Sequence, residues 1–255
     1  MTRVDVTIML KPKTECPVEV PVDYHSNVMS LLKYVINQYD PSKFHELFDT
    51  NTLKLYTWAL DFPYRSKFYK DTITLSRNVL RLHMGFVRDD DADMFENALE
   101  DVSVLHMDKQ LFGQDFEITG TSHKDDHVDG HTVNVRTMSN IAYEISEPNK
   151  KPFFLSIKDP RFQDIVLSPT LNKAQRFFME DYDGYLQLQK DIINFRVTPI
   201  KAREVYNTIY GAKLPVTTGT FQLQGANYLI NFLIAGGIGS ITGSGFGMLK
   251  PTNMV

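Results

Sequence analysis

Apolar and polar positions alternate from Val4 to Leu10 (VDVTIML), the period-two pattern of a half-buried strand. After a loop punctuated by Pro12, Pro17 and Pro21, the period changes. Ser26-Asn27 can cap a helix, and Val28, Leu31, Leu32, Val35 and Ile36 then form one apolar face that Asp40-Pro41 terminates. Leu53–Phe62 and Ile73–Val87 read as strands, the second with a break near Asn78. The acidic run Arg88–Asp93 leads into a helix with Phe95, Ala98, Leu99 and Val102 inward, and a strand region follows from Val104 to Ile118. Aspartates at a helix start suit its dipole, which accounts for the run without a functional role. The order β-α-β-β-α-β is that of a ferredoxin-like unit.

Residues 121–131 (TSHKDDHVDGH) are polar and without period, so they read as a linker. The second half predicts a strand over Thr132–Ile145 and a hairpin of Phe153–Ile157 with Arg161–Leu167 around Asp159-Pro160. A helix over Thr170–Lys190 follows, then strands over Ile192–Ile200 and Thr217–Gln224 and a very apolar short helix, Ala226–Ala235. This is again a β-α-β-β-α-β order with extra hairpins, so the expected class is α+β, with domains at 1–122 and 123–255.

Composition adds limits. The 255 residues carry 27 Lys and Arg against 31 Asp and Glu, and the single cysteine, Cys16, cannot form an internal disulfide. With no apolar run long enough for a bilayer and no leader-like N-terminus, the expectation is a cytoplasmic chain without a membrane partner. The acidic total disfavours nucleic acid only until it is divided. Residues 1–122 hold 13 basic and 19 acidic residues, and residues 123–255 hold 14 and 12. From Ile192 onward Arg196, Lys201, Arg203, Lys213 and Lys250 face Glu204 alone, a local basic patch able to meet phosphates. Phe195, Tyr206 and Tyr210 interleave there as candidate base-stacking rings, with core packing the commoner use of such residues.

Six of the 14 glycines lie in Gly236–Gly247. The loop lacks the Gly-Lys-Ser/Thr ending of a P-loop and follows a helix rather than a strand, so neither nucleotide-binding motif fits. A glycine-rich loop can present amide N–H groups to an anion or be a tight helix-to-strand connection. His123, His127 and His131, with Asp125, Asp126 and Asp129 between them, invite a metal-site reading, which a loop containing Gly130 weakens.

The string Phe221–Lys250 (FQLQGANYLINFLIAGGIGSITGSGFGMLK) resembles the C-terminal signature of the RAMP superfamily, and within it the CRISPR-associated protein six family of endoribonucleases. The matching parts are Gly225, the apolar helix Leu229–Ile234, Gly237-Ile238-Gly239 and Gly245-Phe246-Gly247-Met248. Phe44-His45-Glu46 followed by Lys54-Leu55-Tyr56-Thr57-Trp58-Ala59 is similar to a second family element. The resemblance implies two ferredoxin-like domains facing each other across an RNA-binding cleft. It implies metal-independent cleavage of CRISPR repeat RNA by the ribose 2′-OH, with no cofactor. His45 is then the catalytic acid or base and Lys54 the cation. The family's first-helix tyrosine falls at Lys33, with Tyr34 beside it, so both are weak candidates on faces about 100° apart. Gly237, Gly239, Gly243, Gly245, Phe246 and Gly247, with Arg196, Lys201 and Arg203, are the candidate RNA-binding residues. Tyr24 and His25 are further candidates for substrate contact. Interference-complex subunits and a second copy of the chain are further candidate partners. Two other readings stay open: a non-catalytic RAMP subunit that binds guide RNA, and a metal protein centred on the histidine-rich segment.

Overall fold

The computed structural model describes residues 2–13, 17–50, 54–104, 109–146, 151–162, 166–179, 182–209 and 211–252. Cys16 and Tyr210 lie outside them.

The first unit contains β1 (Thr2–Lys11), α1 (Tyr24–Tyr39), β2 (Tyr56–Asp61), β3 (Val79–Phe86), α2 (Asp89–Val104) and β4 (Asp115–Asp125). Its sheet order is β2-β3-β1-β4, and every neighbouring pair is antiparallel. Alternation on β1 sends Val4, Val6, Ile8 and Leu10 inward, where Leu31, Leu32, Val35 and Ile36 of α1 and Phe95 and Leu99 of α2 cover them. Each such side chain contributes about 1.5–3 kcal/mol by burial. The opposite face of the sheet carries Arg3, Asp5 and Thr7, and Ala235 and Gly237 of the second unit lie against it at Gly85 and Thr57.

The second unit repeats the plan. It contains β5 (Thr132–Thr137), α3 (Ser168–Phe178), α4 (Tyr182–Ile192), β6 (Arg196–Ile209), β7 (Ala212–Gln224), α5 (Asn227–Gly236) and β8 (Leu249–Pro251). Its sheet order is β6-β7-β5-β8, again antiparallel throughout. Val133, Val135, Val197, Phe221 and Leu223 line its helix-covered core with Leu229, Ile230, Phe232 and Leu233 of α5. Leu55 and Val87 of the first unit belong to this core, so the two units share a hydrophobic seam. The chain is α+β with two tandem ferredoxin-like units. Among the described residues no helix is long and apolar enough to cross a membrane.

Several elements differ from expectation for identifiable reasons. α1 starts at Tyr24, ahead of Ser26-Asn27, and Asp23 does not cap it, because the Asp23 Oδ2 accepts from Gly211 N of the second unit at 2.9 Å. Asp40 instead caps the turn Pro41–Phe44 through Ser42 N and Lys43 N. Residues 121–125, expected as linker, continue β4, an edge strand whose polar residues are tolerated because it is exposed. The helix expected over Thr170–Lys190 is two helices. Phe153–Leu155 pairs with Tyr143–Ile145, not with residues after Asp159, where Asp159 N and Phe162 N close tight turns instead.

Candidate functional site

The glycine-rich loop runs from the end of α5 along β2 and closes the seam between the units. Its Thr242–Ser244 segment is one 3-10 turn. Trp58 Nε1 donates to Gly243 O at 3.0 Å, and Thr57 Oγ1 donates to Phe246 O at 2.9 Å. Gly245 has φ +89°, and a β-carbon there would lie 2.5 Å from the Trp58 ring. Gly247 has φ +73°, and its β-carbon would lie 1.8 Å from Ile238 O. Only glycine fits either position.

The loop's amides are largely spent inside the protein. Gly239 N donates to Thr170 Oγ1, Gly245 N to Thr242 O, and Gly247 N to Asn140 O. Ile238 N and Ser240 N bond Gly247 O and Ala142 O. An anion therefore does not find an open cradle of all these N–H groups, as the sequence suggested. Phe246 is buried, its ring stacked 4.6 Å from His25, and Tyr24 stacks on His25 at 4.2 Å. His25 and Phe246 are buried in the seam and offer no face to a base, while Tyr24 is half-buried. Burial pushes the His25 imidazole down to about 4, so it is neutral near pH 7.

Around the 3-10 turn stand cations from both units. Lys54 precedes β2, and a β-carbon on Gly243 would sit 3.1 Å from its Cγ. Its ammonium donates to Leu47 O and lies 5.9 Å from the Phe48 ring centroid, while Lys33 lies 5.4 Å from the same ring. Burial, reinforced by the Lys33 charge, lowers the Lys54 pKa. On the other side Lys173 of α3 donates to Thr242 Oγ1, and burial pushes its ammonium down to about 8. Lys173 is missing from the sequence reading, since in an amphipathic helix it looks like any surface lysine.

His45 opens the π-helical turn His45–Asp49, the turn that supplies Leu47 O to Lys54. Its ring Nδ1 is 3.1 Å from Asp49 Oδ2, and the side chain is 70% exposed. The aspartate orients the imidazole and turns Nε2 outward, where no protein group among the described residues engages it. Tyr34, by contrast, packs on the first unit's core beneath Lys109, whose ammonium is 5.6 Å from its centroid. The structure thus groups Lys33, Lys54, His45 and the Gly243 turn, and sends Tyr34 elsewhere.

The two open sheet faces form the walls of a cleft. In the second unit Lys201, Thr220, Arg136 and Lys250 occupy one cross-strand row, with Arg203 two residues beyond Lys201. Arg136 and Lys250 help to hold the Asp61 carboxyl of the first unit below its usual value, after the hydrogen bond from His83, so the faces sense each other. On the first unit His83 bridges Asp5 at 2.6 Å and Asp61 at 3.1 Å. Burial opposes its charge, but the two carboxylates outweigh burial and raise the His83 pKa. Asp5 also binds Arg3 and Lys124, and Arg3 reaches Asp126. Arg196 stands at the start of β6, its Nη1 donating to Ile193 O and Phe195 O at 2.8 Å. Phe195 is core, whereas Tyr206 is exposed.

The three spaced histidines do not converge. His123 pairs with Glu96, His127 lies 3.6 Å from Asp129, and His131 Nδ1 meets Gly225 O at 3.1 Å. Among the described residues no group of three or more His, Cys, Asp or Glu side chains could hold a metal ion.

No curated protein matches the sequence. Solved structures match in fold along the whole chain. One, described as a RAMP protein binding different RNA substrates, is 18% identical, has a TM-score of 0.83 and covers 99% of this chain and 100% of its own. A Cas6-related protein from Pyrococcus furiosus is 16% identical at a TM-score of 0.81, covering 100% of this chain and 99% of its own. A Cas6 product complex is 15% identical at 0.66, covering 99% and 100%. At such identities the likeness is one of fold. The sequence profile of the C-terminal region of CRISPR associated protein Cas6 matches residues 122–251, from the end of β4 through the cationic row and the glycine-rich loop, just over half of the chain. The chain therefore belongs to the Cas6 family of CRISPR-associated proteins.

Proposed function

We propose that this protein is a CRISPR repeat-specific endoribonuclease that cuts precursor CRISPR RNA without a metal. The observation that carries the reading is the meeting of the His45 turn, Lys54 and the Gly243 turn. The family supports it, as do fold relatives described as an RNA-binding RAMP protein and a Cas6 product complex. In the reaction a base takes the ribose 2′-OH proton, O2′ attacks the adjacent phosphorus, and the 5′ oxygen leaves with a proton from an acid. The products are a 2′,3′-cyclic phosphate and a 5′-OH. His45, oriented by Asp49 with Nε2 outward, serves as acid or base. Lys54, with Lys33 and Lys173 nearby, stabilises the charge on the phosphorane. Arg136, Lys201, Arg203 and Lys250 hold the RNA strand in the cleft.

The test is cleavage of the repeat RNA encoded nearest the gene, in EDTA. Wild type cleaves, His45→Ala lowers the rate by about 10²–10⁴-fold, and a 2′-deoxy nucleotide at the scissile position blocks the cut. Full cleavage of the deoxy substrate rejects the mechanism. One observation favours a second reading, a non-catalytic RNA-binding subunit: the Lys54 ammonium is engaged by Leu47 O. Tight binding of repeat RNA with no cleavage by wild type would assign the protein to that class.

A further inference from the structure

Residues 62–81, from the end of β2 through the first three residues of β3, belong to neither half of the site described above. It carries Arg65, Lys67, Lys70, Arg77 and Arg81 against Asp71 alone. All five cations are exposed, and among the described residues none lies within ion-pair distance of a carboxylate. Asp61, which faces Arg81 across the strand pair, is engaged by His83 instead. Three large aromatic residues stand out from the same segment: Tyr64 is 86% exposed, Phe68 65% and Tyr69 57%. A folded protein that leaves three rings and five unpaired cations in solvent within 20 residues presents a surface with the two ingredients of single-strand recognition.

The backbone holds this arrangement in place. Arg65 sits at φ +70°, a conformation that favours glycine. The turn around it is fixed by Ser66 N donating to Pro63 O at 3.0 Å and Ser76 Oγ donating to Tyr64 O at 2.7 Å. The result turns Tyr64 outward with the Arg65 guanidinium 5.5 Å from its ring centroid. Tyr64, Arg65, Arg77 and Arg81 line a groove of about 690 Å³ with Asp61 and Val79. The groove opens onto the cleft. Arg81 lies on the open face of the sheet, two residues from His83, and Asp61 is the carboxylate that senses Arg136 and Lys250 across it.

We propose that residues 62–81 form a second RNA-binding surface, which takes a single-stranded stretch of RNA leaving the cleft. A base stacks on Tyr64, and phosphates run past Arg65, Arg77 and Arg81. Stacking on an exposed ring tolerates any base, and the cations read only phosphate, so the surface adds affinity and directs the strand without choosing a sequence. The inference rests on the RNA-processing reading for its ligand but not for its geometry.

The experiment uses the full chain and a fluorescein-labelled 20-nucleotide oligouridine, followed by anisotropy across a salt series. Tyr64→Ala and the double variant Arg77→Ala/Arg81→Ala each weaken binding about tenfold. The double variant also lowers the slope of log affinity against log salt by about 1.4, at about 0.7 per phosphate contact on a single strand. A 2-aminopurine placed in the oligomer is quenched by wild type and by Tyr64→Phe but not by Tyr64→Ala. Because these side chains are exposed, unchanged thermal melts verify that the variants fold. Unchanged affinity in both variants overturns the proposal. So does loss of binding to phosphatidylglycerol vesicles in the same variants with oligouridine binding intact, which would mark a membrane surface. Wild type that fails to cut repeat RNA, with the variants still weakening oligouridine binding, rejects the nuclease reading and leaves this surface standing.

Discussion

The two units share a strand order and differ in what their open faces carry. Around Asp5 the first unit's face is an electrostatic circuit, with Arg81 outside it: Asp5 is met by Arg3, His83 and Lys124, Asp61 by His83, and Asp126 by Arg3. The second unit's face carries Arg136, Lys201, Arg203 and Lys250 in its rows without a carboxylate among them. One topology thus yields a wall on which most charges are paired with each other and a wall whose rows carry cations alone. Net charge, acidic over the whole chain, measures neither wall, because fold and function reside at different levels.

The comparison depends first on the seam that keeps the faces opposed, and breaking the seam should have the largest effect. Gly245→Ala puts a β-carbon into the buried Trp58 ring from a left-handed backbone. Steric overpacking and backbone strain together cost on the order of 3 kcal/mol. A thermal melt should show a fall in Tm well beyond that of Gly120→Ala, where a β-carbon meets nothing within 4 Å. Equal melts for the two variants would mean that the loop does not hold the units together.

The seam also contains a titrating group. The folded His25 pKa, pushed down to about 4 by burial, lies below its ordinary value. The unfolded chain therefore takes up the proton first, and stability falls as pH drops from about 6.5 toward 4. At about 1.4 kcal/mol per pKa unit, the loss approaches 3 kcal/mol near the lower limit. His25→Phe keeps a ring against Phe246 and removes the proton. Urea denaturation at pH 7 and pH 4.5 should show a smaller acid loss for the variant than for wild type, and an equal loss would place the acid sensitivity elsewhere.

The walls are compared directly by removing cations from each. Arg136→Ala/Lys250→Ala should weaken repeat-RNA binding about tenfold and flatten its salt dependence, since two phosphate contacts are lost. Lys124→Ala, on the mostly paired wall, should change affinity by less than about twofold, because its partner is Asp5 rather than RNA. Equal losses would show that the first wall also faces the strand, and the contrast between the walls would fail.

How much of this was legible in sequence follows from which signals are local. The alternation of Val4–Leu10 and the helical spacing of Val28–Ile36 specified their elements directly, because each residue's environment was set by its neighbours in the chain. The glycine loop was visible for the same reason. Its inward-turned amides were not, because their acceptors, Asn140, Ala142 and Thr170, are far away in sequence. The polar run 121–125 read as linker because an edge strand needs no apolar face. Lys33 and Tyr34 could not be separated by a one-residue offset until Phe48 and Lys109 showed which way each points. Arg65, an arginine in a glycine-like conformation, left no trace in composition.

The smallest expected effect concerns the circuit itself and is defined by its sign. His83 faces Asp5 on β1 and Asp61 on β2. Arg3 and Lys124 lie beyond Asp5, and Arg136 and Lys250 lie across the cleft. The carboxylates raise its pKa in the folded protein. A raised pKa means that the protonated histidine stabilises the fold. That contribution is complete below the unfolded value of about 6.5 and is lost as pH rises through the folded value. His83→Gln keeps a polar side chain of similar reach but cannot carry the charge. Wild type should therefore exceed the variant in stability most clearly at pH 6, and the gap should narrow by pH 9. This is the opposite pH trend to that of His25, although both histidines lie in the first unit. A gap that widens with pH would mean that the neutral imidazole is the stabilising form, and the first wall would then be an unpaired acidic surface rather than a paired circuit.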